Sequence, residues 1–441
     1  MIDLLVAAAV AAGPGTSAIR ISPTRNDDRS VTLTPADMFA LADSAQHKDD
    51  TGTAEAIYRA LATNPELEIR NEARFRLARM FEKERRLTES AVLLRSILDE
   101  QPSAQRVRLE LADLLVKMGD EAAARRELRA VRAGPLPAEV AQQVDRFSEA
   151  LRARKPMGGT IDVAVASDSN VNRATRSDTL GTVIGDFTLD KDARAQSGRG
   201  IAVQGQSYGR IAFGRDANLL GTLSASANLY RKSRFNDVSL GASFGPELTV
   251  GSFQFRPSVG GSRRWYGHDP FTDAASLQLD AAHPIAATAQ IHGSLAASRI
   301  WNHLNSLESG HSYSGSMTIE AALSETSGCG ITLTGIRQSL EDPGYSDVTG
   351  EVSLFGWHEA GRLTLSSALT FGRLVADQRL ALYPVKRDDT LYRATLAATA
   401  RQVQFRGFAP TMSLTWERNR SPIEIYDYGR TVFNMGVVRA F

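Results

Sequence analysis

The sequence has too little cysteine for an internal disulfide, because Cys329 is the one cysteine among 441 residues. It has no uninterrupted apolar run long enough for a membrane-spanning helix. Its charges nearly cancel, with 51 basic and 50 acidic side chains, which gives no support to nucleic acid as a partner. The 7 histidines show no metal-ligand spacing, so no metal site is predicted.

Residues 1–18 have the pattern of a secretory signal peptide. An apolar stretch is followed by a small-residue cleavage site at Thr16-Ser17-Ala18. The segment before the apolar stretch contains Asp3 and no basic residue, which is atypical of an export signal, and a buried N-terminal helix is the alternative. Residues 19–31 are polar and rich in Arg and Asp, and we expect them to form a linker.

Residues 32–155 have a helical pattern that repeats. Apolar side chains recur at intervals of three and four, and β-branched residues become rare. The set Leu77, Phe81 and Leu94 recurs 34 residues later as Leu111, Leu115 and Leu128, and an earlier copy runs from Leu41 to Pro65. This period is typical of the tetratricopeptide repeat. We predict three repeats and a capping helix at 136–154, which together would present a concave surface for a protein ligand or serve as a rigid spacer.

From residue 156 the period of the apolar pattern changes to two. Met412, Leu414 and Trp416 alternate with Ser413, Thr415 and Glu417, as in a strand with one apolar and one polar face. A soluble β-sandwich would show the same alternation. About fourteen such segments follow one another, however, and their polar faces are rich in Ser, Thr, Asn, Arg and Glu. An even strand number and a polar interior are typical of a bacterial outer-membrane β-barrel.

Two further features bear on the predicted barrel. The four tryptophans, Trp265, Trp301, Trp357 and Trp416, lie near predicted strand ends, where an interfacial girdle of aromatic residues is expected. Pro257 and Pro410 fall inside predicted strands, and we expect β-bulges to accommodate them.

Two sequence blocks resemble those of the surface lipoprotein assembly modifier (Slam) family. One is Asp168-Ser169-Asn170-Val171-Asn172-Arg173-Ala174, and the other runs from Trp416 to Ser421 and from Ile425 to Thr431. Pro422 and Gly429 depart slightly from the family pattern. The resemblance implies an outer-membrane translocon that delivers lipoproteins, or related cargo proteins, to the cell surface. It also implies that the barrel is the conduit and that the repeats receive cargo in the periplasm.

We therefore predict a two-domain protein of the outer membrane. Residues 32–155 would form an all-α tetratricopeptide-repeat solenoid in the periplasm, and residues 156–441 an antiparallel transmembrane β-barrel of about 14 strands. Phe441 resembles the signal that such barrels present to the outer-membrane insertion machinery. The other implied partners are a cargo lipoprotein or secreted protein, outer-membrane lipids and periplasmic chaperones. We expect no cofactor, no nucleic acid and no enzymatic activity.

Candidate functional residues cluster around the first and last barrel strands. The set after the first strand is Asp168, Asn170, Asn172 and Arg173, and the set before the last is Arg418, Asn419, Arg420, Tyr426, Asp427, Tyr428 and Arg430. If the barrel closes by pairing these strands, the two sets meet at the seam and shape it or a gate for cargo. Solvated turns are the alternative, since Asx side chains often bond their own backbone.

A second candidate set lies on the polar faces of other strands. Arg256, Arg264, Glu320, Arg393 and Arg401 are predicted to face the lumen, where they would contact cargo or prop the barrel wall. Two alternative functions remain open. An exopolysaccharide export porin should have more repeats and a lumen of one charge sign, whereas a passive porin or structural anchor would use the repeats to hold another periplasmic protein.

Overall fold

A computed structural model of the chain describes residues 19–21, 31–118, 120–133, 157–214, 217–286, 288–361, 363–400 and 408–440. The chain divides into two units, Met1–Leu115 and Val116–Phe441. The predicted signal peptide at 1–18, residues 22–30 of the expected linker, the capping helix at 136–154, Arg401 and Phe441 lie outside the described residues. The two ends of the linker segment, β1 (Ile19–Ile21) and β2 (Val31–Leu33), pair as short antiparallel strands.

The helical region contains the predicted pairs of helices. They are α1 (Pro35–His47), α2 (Thr51–Leu61), α3 (Leu67–Lys83), α4 (Leu87–Glu100), α5 (Gln105–Met118) and α6 (Glu121–Ala133). A capping box between Thr34 and Asp37, with Pro35 at the first helical position, begins α1. The alanines Ala42, Ala54, Ala73 and Ala91 are fully buried, so the helices of this unit can approach closely.

The core of the first unit lies between its helices. Met38, Ile57, Leu61, Leu77 and Phe81 form one buried cluster. Leu41, which the repeat pattern grouped with the core positions, is instead 41% exposed. In the part of the chain that the structure describes, no helix is both long and apolar enough to cross a membrane.

The predicted fourteen-stranded barrel is confirmed. Its antiparallel strands close on themselves when the last pairs with the first. A separate hairpin, β4 (Thr179–Thr182) and β5 (Gly185–Thr188), lies in the loop after the first barrel strand. The barrel strands are β3 (Met157–Asp168), β6 (Gly198–Ala212), β7 (Ala217–Tyr230), β8 (Asp237–Val250), β9 (Phe253–Tyr266), β10 (Asp269–Ala286), β11 (Ala289–Asn302), β12 (Gly310–Ala322), β13 (Ser327–Leu340), β14 (Asp347–Ala360), β15 (Leu363–Ala376), β16 (Asp388–Ala400), β17 (Ala409–Arg420) and β18 (Tyr428–Ala440).

The two faces of the barrel wall differ in chemistry. Large apolar side chains such as Leu277, Leu369 and Met435 are exposed on the outer face, where a water-soluble protein would bury them. On the inner face, hydroxyl groups of neighbouring strands hydrogen-bond to each other, as in Thr222–Ser243 at 2.6 Å and Thr318–Thr332 at 2.9 Å. Lipid outside and water inside satisfy both faces.

The two ends of the barrel also differ. Short turns such as 251–252 and 323–326 join strands at one end, which we call the turn end. Longer loops, including 169–197, 377–387 and 421–427, join strands at the other, which we call the loop end. Bacterial outer-membrane barrels have short periplasmic turns and longer extracellular loops, so the loop end is the extracellular end.

Two expectations about individual barrel residues were wrong. The ladder irregularities are at Pro270 and Pro284, whereas Pro410 lies in the regular β17–β18 ladder. At Pro257 the β8–β9 pairing is interrupted without a register shift. Val352 and Leu354 are exposed on the outer face of β14, so the even-numbered residues of this strand point outward. Trp357 therefore lies on the inner face, not in the expected outer girdle. It packs over Gly328, where a glycine leaves room for the indole.

The core of the helical unit provides a first test of the fold. Leu61 is fully buried, so Leu61→Ala should lower the free energy of unfolding of the helical unit by about 2–5 kcal/mol. Leu41→Ala is the matched control and should change it little, because Leu41 is exposed. Thermal melts of the full chain, followed by circular dichroism at a helical wavelength, measure both. Equal losses would contradict the described packing.

Candidate functional site

The seam between β3 and β18 closes the barrel. Nine residue pairs join the strands, from Ala440 opposite Thr160 to Val432 opposite Asp168. Two hydrogen bonds continue the contact beyond the last pair: the Ser169 amide donates to the Thr431 carbonyl at 3.0 Å, and the Thr431 amide donates to the Ser169 hydroxyl at 2.8 Å. The seam is therefore hydrogen-bonded up to its loop end.

A buried ion pair lies across the loop end of the seam. The Arg430 guanidinium donates to the Asp168 carboxylate, with an Nη2–Oδ2 distance of 2.6 Å. The Asp168 side chain is 0% exposed, and it also accepts hydrogen bonds from the Tyr230 hydroxyl and the Asn170 backbone N–H. A buried carboxylate needs such compensation, since an unpaired charge in this position would be strongly destabilising.

Asn170 connects the first loop to the last strand. Its side chain is fully buried. The amide nitrogen donates to the carbonyls of Ala174 and Gly429 at 2.8 and 3.1 Å, and the amide oxygen accepts from the Ala174 backbone at 3.0 Å. The side chain thus bonds both to the backbone four residues further along the first loop and to the last strand across the seam.

Glu417 is the centre of a second buried network, beside the Asp168–Arg430 ion pair. Its carboxylate accepts a hydrogen bond from the Tyr428 hydroxyl at 2.7 Å and another from Arg393 at 2.8 Å. Arg173 approaches to 3.5 Å from a residue with a φ of 47°, an uncommon conformation for a non-glycine residue. The network joins β16, β17 and β18 to the first loop.

Asn419, two residues after Glu417 on β17, bonds the barrel wall to the loop that follows this strand. Its amide donates to the Asp389 carboxylate at 3.0 Å and to the Tyr426 carbonyl at 2.7 Å. Asp389 is in turn paired with Arg387 at 2.7 Å. The Arg387 guanidinium lies 3.9 Å from the centre of the Tyr426 ring. Burial raises the pKa of Tyr426 to about 12, although the nearby Arg387 opposes this shift.

Apolar side chains of several extracellular loops pack together above these networks. The buried members are Leu180, Leu380, Tyr383 and Ile423, and the partly buried members are Leu189, Tyr345, Ile425 and Tyr426. We call this cluster the loop cap. A backbone hydrogen bond from the Val183 amide to the Leu382 carbonyl, 3.0 Å long, adds to it. Four loops are held together here by non-covalent contacts alone.

The structure brings most of the predicted seam residues together, but not all of them. Asp168, Asn170, Arg173, Asn419, Tyr426, Tyr428 and Arg430 join the networks described above. Asn172 instead bonds the first loop to itself, donating to the carbonyls of Asp192 and Arg194. Arg418 pairs with Asp427 at 2.7 Å on the outer face, and Arg420 lies over the outward-facing Tyr392 ring.

The described members of the predicted lumen set lie on the inner face, and each has an acidic or basic partner. Arg264 pairs with Asp237 at 2.6 Å, Arg256 with Glu247 at 2.6 Å, and Arg393 with Glu417. Glu320 accepts from Gln290 on β11 and from Arg129 of α6, at 2.5 and 2.8 Å. The lumen therefore carries both charge signs, and α6 contacts its turn end.

Sequence reasoning missed three residues at the centre of the site. Glu417 could have been found, because it is the one acidic residue on the polar face of its predicted strand. Asp389 and Tyr230 carried no such signal, since they reach the site from distant parts of the chain.

A catalytic motif was also tested against the structure. Gly241-Ala242-Ser243-Phe244-Gly245 has the spacing of a nucleophile elbow, but it lies inside β8, and Ser243 bonds to Thr222. No cluster of metal-ligating side chains occurs among the described residues.

A closed barrel with an apolar exterior and a polar interior, preceded in the chain by helical repeats, defines an outer-membrane β-barrel protein with tetratricopeptide repeats. The family model for the surface lipoprotein assembly modifier matches residues 159–441, and a tetratricopeptide-repeat model matches residues 81–142. The chain belongs to the surface lipoprotein assembly modifier family and is a protein of the outer membrane.

A curated relative and several solved barrels are also similar to the chain. The surface lipoprotein assembly modifier of Moraxella catarrhalis is 26% identical over 224 residues, which cover 48% of this chain and 41% of that protein. A bacterial polysaccharide outer membrane secretin covers 64% of this chain and 98% of its own, at 11% identity and a TM-score of 0.36. A Pseudomonas aeruginosa FadL homologue covers 65% and 90%, at 9% identity and a TM-score of 0.39. Likeness this distant carries no argument about function.

The buried ion pair at the seam predicts a large effect of one substitution. Arg430→Met leaves the Asp168 carboxylate buried without its cation and should lower the free energy of unfolding of the barrel by about 3–5 kcal/mol. Arg418→Met, which removes a half-exposed ion pair, is the matched control and should cost about 0–1 kcal/mol. Urea unfolding in detergent, followed by tryptophan fluorescence, measures both. Similar losses would contradict the proposed weight of the buried pair, and Asp168→Asn added to Arg430→Met should restore part of the loss.

The pKa of Tyr426 predicts how the loop cap responds to high pH. A raised pKa means that the fold favours the neutral phenol. The corresponding stabilisation is fully present below the unfolded pKa of about 10 and is lost as pH rises through the folded value of about 12. Subtracting the 295 nm titration of Tyr426→Phe from that of the native protein should leave one ionisation step near 12. A step near 10 would show that Tyr426 is exposed.

Proposed function

We propose that this protein is an outer-membrane translocon that moves a lipoprotein, or a related cargo protein, through its barrel to the cell surface. The observation that carries the proposal is the lumen, whose wall is hydroxyl-rich and whose charges are of both signs. An unfolded or partly folded polypeptide presents both charge signs and many backbone groups. Such a wall can offer it hydrogen bonds without holding it at any one place.

The family supports the choice of cargo. The relative from Moraxella catarrhalis is named for the assembly of surface lipoproteins, and the family model covers all but the first two residues of the barrel of this chain. Because the match spans less than half of that relative, the activity comes to this chain as a proposal. The repeats would receive cargo in the periplasm.

The loop cap and the seam networks bear on where cargo would leave the barrel. The loop cap joins loops mainly by apolar packing, which can separate and re-form without leaving a buried charge unpaired. The seam, by contrast, is hydrogen-bonded along its length, and the buried Asp168–Arg430 pair stabilises its loop end. We therefore infer that cargo leaves by separation of the extracellular loops, with the seam remaining closed.

The alternatives fit the site less well. An exopolysaccharide porin would be expected to have a lumen of one charge sign, whereas the pairs Arg264–Asp237 and Arg256–Glu247 mix both signs. A passive porin should show a large and constantly open channel. Single-channel conductance of the purified protein separates these cases, since a closed or flickering channel is expected of a gated translocon.

Deletion of the gene tests the proposed function itself. An epitope-tagged lipoprotein encoded beside this gene should lose most of its surface exposure in the deletion strain, measured by antibody labelling of intact cells. Total lipoprotein, measured after lysis, should remain. Equal labelling with and without the gene would refute transport of that cargo.

A disulfide lock tests the role of the loop cap. Val183 and Leu382 are joined by a backbone hydrogen bond, so their Cα atoms are close enough for the variant Val183→Cys/Leu382→Cys to form a disulfide. The exposed Cys329 should first be replaced by Ser. We expect oxidised cells to display little cargo and a reductant to restore display.

The single variant Val183→Cys is the matched control and should display cargo under both conditions. If the oxidised double variant, shown by gel shift to be cross-linked, displays cargo normally, then cargo does not leave by separation of these loops. The deletion result would still stand, so the two outcomes distinguish the exit route from the function.

A further inference from the structure

Arginines recur on the outer face of the barrel just below its loop end. They are Arg263 on β9, Arg299 on β11, Arg337 on β13, Arg373 on β15 and Arg418 on β17, and we call them the arginine belt. Four of them lie three residues before the end of their strand, and Arg418 lies two residues before. Each shares the outward face with an exposed apolar residue of its own strand, namely Val259, Leu295, Leu333, Leu369 or Trp416. The belt therefore lies at the extracellular border of the lipid-facing band.

Each belt arginine is held by an acidic side chain and remains accessible. The partners are Asp273, Glu341, Asp377, Asp388 and Asp427. The arginine side chains are between 35% and 62% exposed. Arg263 and Arg373 use Nε and Nη2 for their carboxylates, which leaves Nη1 without an acceptor among the described residues. The carboxylates thus orient the guanidinium groups without using all of their donors.

Among the described residues, the opposite end of the barrel has no equivalent of this belt. On the outward faces of the described strand residues near the turn end, Arg439 is the single arginine, and no lysine or acidic residue occurs. Charge is therefore concentrated at one of the two membrane borders. Exposed ion pairs contribute little to stability, so folding does not account for five arginines at matching positions on successive outward-running strands.

We propose that the arginine belt binds the phosphate groups of a phosphorylated glycolipid in the outer leaflet of the membrane. The planar guanidinium fork matches the geometry of phosphate oxygens. The belt extends from β9 to β17 on the outside of the wall at headgroup depth, directly above apolar side chains. A phosphorylated lipid satisfies both parts of this surface, because its phosphates meet the arginines and its acyl chains meet the apolar band. A free soluble anion would meet only the first.

Thermal stability in the presence of defined lipids tests this inference. The purified full-length protein in detergent should gain in melting temperature when a bisphosphorylated glucosamine glycolipid is added, and gain much less with the dephosphorylated form of the same lipid. The variant carrying Arg263→Gln, Arg299→Gln, Arg337→Gln and Arg373→Gln should lose most of the difference between the two lipids. Arg439→Gln, on the same face at the opposite end, is the matched control and should keep it.

Three results would overturn the inference: an equal shift with both lipids, an unchanged difference in the quadruple variant, or an equal loss in Arg439→Gln. If the quadruple Gln variant does not fold, the corresponding quadruple Lys variant retains the charge but not the fork. It should then show a reduced difference between the lipids, and a full difference would contradict the proposed phosphate recognition. None of these measurements depends on cargo transport.

Discussion

The closing pair of strands, β3 and β18, is the constraint on which the rest of the barrel depends. Inside a lipid bilayer no water is available to bond a free strand edge, so every backbone N–H and C=O must find its partner within the protein. The first and last barrel strands of this chain are far apart in sequence and yet must meet in register. The buried pair between Asp168 and Arg430 lies where that meeting ends, and its charges are compensated only if the register is right.

The same closure places the functional chemistry. Once β18 lies beside β3, the polar ends of the last strands and the first extracellular loop are brought to one part of the rim. Glu417 can then be reached by Tyr428, Arg393 and Arg173, which come from three different segments. Above them, the loop cap packs apolar side chains from four loops. The seam is fastened by charge and hydrogen bonds, whereas the cap is held mainly by apolar packing, and this contrast is the basis for assigning movement to the loops.

The inner and outer faces of the wall meet different solvents, water inside and lipid outside. The side chains on each face have the polarity that suits its solvent. On the inner face, polar side chains bond to neighbours on adjacent strands, and both charge signs occur. On the outer face of the described strands, charge is confined almost entirely to the loop end. The contact of α6 with Glu320 adds a protein group at the turn end of the lumen. Each border of the barrel therefore has its own chemistry.

The sequence by itself determined the two kinds of secondary structure, the repeat period, the number of barrel strands and the polarity of their faces. These properties are local, because a side-chain period of two or of about three and a half is visible within a short window. It also indicated that Asp168 and Arg430 belong near one seam, since a barrel of consecutive hairpins must close by joining its ends. Only the tertiary structure decided which side chains bond there. Tyr230 and Asp389 enter the site through strand registers, Trp357 turns inward because Gly328 leaves it space, and Arg418 turns outward away from the predicted cluster. Such contacts depend on the register between paired strands and on the space that a neighbouring strand leaves free. Neither can be predicted from a local pattern of residues.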